Sequence, residues 1–216
     1  MRTRFDEQLA VLNHNLIQMG AICEEVIALA AKALFTGELS LVDRVEELSG
    51  ELAQMNRAVE TLCLKMLLQQ QPVAGDLRHI SAALKMITDM ERIGDQAEDI
   101  GEIVKVMGHD ISYDFTLMHE LATATIHLVT GSVDAFVQQD VQQAQAVVQG
   151  DDVVDAYFLQ VKSSLITLIA QNPAEGQEAL DLLMIAKYFE RIGDHAVNIA
   201  QWVLFSVTGV HEGAVQ

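Results

Sequence analysis

From Leu9 onward the apolar positions run Leu12, Leu16, Met19, Cys23, Val26, Ala30 and Ala33, stepping by three and four in turn. That stepping holds them all on one face and predicts the seam of a long packed helix, which Thr36-Gly37 ends. A second seam follows through Leu41, Val45, Leu48, Leu52, Met55, Val59, Leu62 and Met66, with Ser40 as the expected N-cap. Pro72 stops it, because proline lacks a donor and disfavours helix in the residue before it. Asp76 is the expected cap of a third helix, which carries Ile80, Leu84, Ile87, Glu91 and Asp95 and fades at Gly108.

The cycle then repeats, with helices predicted over residues 114–138, 140–171 and 177–207 and a proline at 173. Gly50 and Gly150 fall at matching points of the two middle helices, and Pro72 and Pro173 at matching exits. No segment alternates apolar and polar residues long enough to make a strand, and aromatics are only 5%, so a sheet is not expected. The prediction is an all-α chain of two tandem antiparallel three-helix bundles, residues 1–109 and 110–216, related by an approximate twofold. Residues 209–216 are expected to fray.

Charge narrows the partners. Thirteen lysines and arginines stand against 31 acids, a net charge of −18, so direct nucleic-acid binding is not expected. The start, Met1-Arg2-Thr3-Arg4-Phe5-Asp6-Glu7, lacks the apolar stretch of a signal peptide, and no run approaches the ~18 apolar residues of a membrane span. A cytoplasmic protein is expected. Cys23 and Cys63 lie within helical seams without metal-type spacing and are expected to be buried, reduced thiols.

One motif stands out. Glu91-Arg92-Ile93-Gly94-Asp95 returns as Glu190-Arg191-Ile192-Gly193-Asp194, 99 residues on. Helical positions four apart share a face, so Glu91, Asp95 and Asp99 form one row and Glu190, Asp194 and Asn198 another. Ile93 and Ile192 are placed to face the core, and Gly94 and Gly193 to admit a neighbouring helix. Like charges on one face repel, so each row calls for cations. Arg92 and Arg191 could supply them within a solvated, salt-bridged surface. Equally, carboxylates in such rows suit oxygen-preferring metals: magnesium, calcium, manganese or iron. Asp151, Asp152 and Asp155 are placed to support the second row, whereas Glu51, Asn56 and Glu60 offer the first row less.

Chemistry beyond binding finds few residues to work with. A dinuclear-iron oxidase would carry Glu-x-x-His pairs, and the chain has none. Asp76-x-x-His79 reads as a helix cap with an exposed histidine, and His195 points about 100° away from Asp194 on the helix. There is no phosphate-binding glycine loop, nucleophile elbow or Ser/His/Asp set, so an enzyme is not expected.

The two Glu-Arg-Ile-Gly-Asp copies, with Gln71-Pro72-Val73-Ala74-Gly75-Asp76-Leu77-Arg78 ahead of the first, closely resemble the PhoU family of bacterial phosphate-uptake regulators. The likeness runs from Phe5 to about Val207. It implies tandem three-helix bundles, a cytoplasmic location, frequent homodimers and multinuclear iron at the repeated motif, with other metals such as zinc in some members. Carried onto this chain, the metal positions are Glu91, Asp95, Asp99, Glu190, Asp194 and Asn198. Family members tend to carry further acids where this chain has Ser49 and Asn56, which leaves its first site poorer. The implied role is restraint of phosphate uptake and starvation signalling by a non-catalytic adaptor. That adaptor would contact the ATPase of a phosphate ABC transporter and a sensor histidine kinase, meeting the membrane only through them. A regulator of a low-affinity phosphate permease, or a metal-free helical scaffold, would share these features. Metals on the acidic faces would also invert the local charge and recruit phosphate.

Overall fold

The structure, a computed structural model, describes residues 2–69, 72–107 and 113–210, and within these every regular element is a helix. The helices are α1 (Arg2–Thr36), α2 (Leu39–Gln69), α3 (Ala74–Val106), α4 (Thr116–Gln138), α5 (Val141–Gln171) and α6 (Gly176–Thr208). A single 3-10 turn, Pro173–Glu175, joins the last two.

Helix ends follow local chemistry. Gly37 takes the left-handed conformation at φ 69° and donates its N–H to Ala33 at 2.8 Å, closing α1. Asp140 caps α5, its carboxylate accepting from the N–H groups of Gln142 and Gln143 at 2.8 and 3.1 Å. Two expected caps differ. α2 begins at Leu39, inside which Ser40 donates its hydroxyl to Glu38 at 3.1 Å. α3 begins at Ala74 with Val73 as N-cap, so Asp76 lies in the first turn, where its charge meets the positive end of the helix dipole. Asp114 precedes α4 and accepts from the Thr116 N–H at 3.0 Å. The predicted junction at 109/110 and the fade at Gly108 lie outside the described residues, as does the tail from 211; Gly209 closes α6 at φ 78°.

The predicted α1 seam is buried through Leu12, Leu16, Met19, Cys23, Val26, Ala30 and Ala33; on α2 Val45, Leu48, Leu52, Val59 and Met66 are buried, while Leu41, Met55 and Leu62 are half-buried against the core. α1, α2 and α3 pack mutually, as do α4, α5 and α6, giving two three-helix bundles in tandem. The bundles join along α3 and α6, the most extensive helix contact in the molecule, with α1 against α4 beside it. α2 and α5 therefore form the outer edges. His79 departs from its expected exposure. It is half-buried on α3, its Nε2 2.7 Å from Asn13 Oδ1 on α1 and its ring stacked 6.1 Å from Phe136 on α4. Burial pulls its pKa down, so at neutral pH it serves as an uncharged link between the bundles.

Cys23 and Cys63 are free and buried. Burial lifts both thiols, Cys63 to about 11, which leaves little thiolate for reaction. Although polar residues interrupt every apolar run in α5 well short of a membrane-spanning length, the helix is by length and composition alone apolar enough to cross a membrane. The reason is a second apolar row. Val147, Val154, Val161 and Leu165 face the core while Val153, Leu159 and Ile166 stay exposed on the outer edge.

Candidate functional site

The repeated motif lies at the middle of α3 and of α6, where the two bundles meet. Ile93 and Ile192 are fully buried, as expected. Close approach explains both glycines: a Cβ at Gly94 would come within 2.8 Å of Leu52 on α2, and one at Gly193 within 3.3 Å of Val154 on α5. Each outer helix is thereby held against its motif.

In the second bundle this draws α5 carboxylates toward α6. Asp151 is pushed up to about 6 by its partial burial and then by the charges of Asp194, Asp155, Glu190 and Asp152. Asp194 is likewise raised, chiefly by burial and then by Glu190, with Lys187 opposing. The Lys187 ammonium pairs with Glu190 and sits 5.3 Å over the Phe158 ring. Four of the predicted residues, Asp151, Asp155, Glu190 and Asp194, thus share one electrostatic neighbourhood, which Lys187 and, at Asp194, His195 partly offset.

The first bundle is different. Glu91 accepts a hydrogen bond from the Asn56 amide on α2, and Asp95 pairs with Arg92 on its own helix at 3.1 Å. Asp99 turns to the bundle junction, where Tyr188 and Arg191 of α6 lie in its field; burial and the charges of Glu102, Asp95 and Glu98 raise it. Asn198 also leaves its row, donating to Asp89 on α3 at 3.3 Å. Asp89 further meets His195 Nδ1 at 2.9 Å. Asp89, Tyr188 and Lys187 were missed by motif reading. The 99-residue offset carries a signal for the first two, because it superposes Asp89 on Tyr188 and Asp99 on Asn198, so that the cross-junction pairs, Asp89 with Asn198 and Asp99 with Tyr188, are equivalent under the repeat.

Among the described residues, no three His, Cys, Asp or Glu side chains stand close enough to close a metal site as they are. In the second bundle the donor chemistry nonetheless fits a hard cation, since burial first and then the neighbouring carboxylates hold Asp151 well above the ordinary 3.8. In the first it fits less well, as Glu91 and Asp95 already have partners. A raised carboxylate also sets a pH dependence. The folded state binds the Asp151 proton more tightly than the unfolded chain does. That contribution is fully present below about pH 4 and is lost as pH rises through about 6, worth under about 1 kcal/mol after solvent screening.

Beside these rows, at the junction, opens a cavity of about 500 Å³ lined by Arg92, Gln96, Arg191, Asp194, His195 and Asn198. It draws side chains from both repeats.

A family model described as the PhoU domain matches the chain twice, over residues 16–104 and 118–203. The chain belongs to the PhoU family. A PhoU homologue of Synechocystis sp., named a phosphate-specific transport system accessory protein, is 33% identical over 98% of this chain and 94% of its own length. One of the same name from Deinococcus radiodurans is 31% identical over 98% of this chain and all of its own. The crystal structure of PhoU from Pseudomonas aeruginosa superposes with a TM-score of 0.92 at 29% identity, over 95% of this chain and all of that one. Within this PhoU fold the two matched domains coincide with the two bundles, so the repeated motif sits where the domains touch.

Proposed function

We propose that the protein is a cytoplasmic, non-catalytic regulator of phosphate uptake, an adaptor between the ATPase of a phosphate ABC transporter and a sensor histidine kinase. The observation that carries this is the end-to-end likeness to accessory proteins of phosphate-specific transport systems. Physics supports the same role: a rigid helical scaffold with a net charge of −18 is suited to basic surfaces on its partners, with a salt-dependent on-rate. The test is a pull-down from phosphate-replete cells. Recovery of a transporter ATPase and a histidine kinase, weakened by salt, is expected. Recovery of a low-affinity permease in place of both would overturn the reading.

Metal enters this proposal at the second bundle, where Asp151, Asp155, Glu190 and Asp194 would hold a hard cation such as iron, manganese, magnesium or calcium. Bound there, it would supply the positive charge that the carboxylate cluster lacks. Asp151→Asn with Asp194→Asn is expected to lower the metal content of protein purified without chelator by more than half, with helix content unchanged. The same change at Asp95 and Asp99 is expected to lower it less, because Arg92 already serves Asp95. Elemental analysis showing equal metal in wild type and the Asp151/Asp194 variant would leave the metal-free scaffold as the reading.

A further inference from the structure

The bundle junction carries a cationic feature that the carboxylate rows do not explain. Arg92 from the first repeat and Arg191 from the second line the same cavity of about 500 Å³. Two guanidiniums facing one space repel each other unless an anion lies between them. Elsewhere Arg44, Lys105 and Lys187 are each held in ion pairs. Arg92 uses one terminal nitrogen on Asp95, and Arg191 forms no ion pair among the described residues, although the field of Asp99 reaches it. Most of their ten N–H donors therefore remain uncommitted. His195 is held through Nδ1 by Asp89, which leaves its Nε2 free on a ring that lines the same space.

The acceptors in the lining narrow the ligand. Gln96 Oε1 is buried and accepts no hydrogen bond, and Asp194 adds a carboxylate. A fully deprotonated anion such as sulfate would meet these oxygens only with repulsion. Phosphate keeps a proton at neutral pH, so it can take donors from the arginines and give one hydrogen bond to Gln96 or Asp194.

We infer that this junction cavity binds inorganic phosphate directly, with Arg92 and Arg191 clamping the oxyanion and Gln96 and Asp194 accepting from its hydroxyl. The inference rests on the regulatory reading only for its purpose: a ligand spanning both repeats would report phosphate by tightening the α3–α6 contact. It differs from recruitment by metal, because the cations here are the chain's own.

The test is isothermal titration of inorganic phosphate, and separately of sulfate, into chelator-treated full-length protein in chloride buffer. One phosphate per chain is expected, with sulfate at least tenfold weaker. Both arginines are exposed, so Arg92→Gln and Arg191→Gln should fold normally by circular dichroism while each weakens phosphate at least tenfold. Gln96→Leu should narrow the gap between phosphate and sulfate. The inference is overturned by absent phosphate binding, by equal affinity for sulfate, by binding unchanged in both arginine variants, or by binding that returns only when metal is restored. Tighter binding of AMP than of phosphate would likewise overturn free phosphate as the occupant. Phosphate binding without recovery of a transporter ATPase or a kinase would sink the partner reading and leave this site standing.

Discussion

Phe189→Ala is expected to lower the free energy of unfolding by about 3–5 kcal/mol, read as a fall in the urea midpoint at unchanged slope. Phe189 is fully shielded from water and is among the largest side chains so placed. It stands on α6 one residue before Glu190, and its carbonyl accepts the hydroxyl of buried Thr125 on α4 at 3.2 Å. Truncation removes the apolar surface and leaves a cavity in a bundle whose neighbouring long helices cannot collapse independently. Phe189→Leu keeps most of the volume and should cost under about 1.5 kcal/mol. If the alanine variant loses less than about 1 kcal/mol, α6 is not the central strut of the second bundle that its burial makes it.

Much of this architecture was legible because a helix advertises its buried face through spacing. The step of three and four along Leu12, Leu16, Met19 and Cys23 needs no partner to be read, and all four are buried. The repeat was equally open, since the Glu-Arg-Ile-Gly-Asp copies and Pro72 and Pro173 are fixed by comparing the chain with itself. Helix starts were less so: Ser40 and Asp76 each sit just inside the helix they were expected to cap, because capping residues are also tolerated in a first turn.

What stayed hidden depends on which helices meet. Spacing placed Asp99 and Asn198 on the same rows as their motifs, yet both turn to the α3–α6 junction, where Tyr188 and Asp89 lie across from them. No one-dimensional pattern shows that α3 and α6 pack antiparallel with their motifs at the crossing. The same limit hid the shared cavity of Arg92 and Arg191, which local spacing had made partners only for nearby acids. His79 was misjudged for a related reason: its neighbours Asn13 and Phe136 lie on two other helices.

Gly20→Leu is expected to destabilise the protein by about 1–3 kcal/mol and to do so by prising the two bundles apart. Gly20 lies on α1, and a Cβ there would stand 2.6 and 2.9 Å from the two methyls of Val133 on α4. A valine in a helix has one strongly preferred χ1, so those methyls cannot swing clear and the helices themselves must separate. Gly50, in contrast, has open space around its missing side chain, although it matches Gly150 in the repeat, where a Cβ would meet Leu128 at 2.8 Å. Gly50→Ala should therefore stabilise α2 by about 0.5–1 kcal/mol from helix propensity alone. Amide hydrogen exchange distinguishes the two effects. In Gly20→Leu, protection should fall along α1 and α4 and weaken His79's bonds to both bundles, while the α5–α6 carboxylate cluster, which shares no side chain with that contact, keeps its protection. Uniform loss throughout both bundles would mean that they unfold as one unit and that α1 against α4 is not a separable joint.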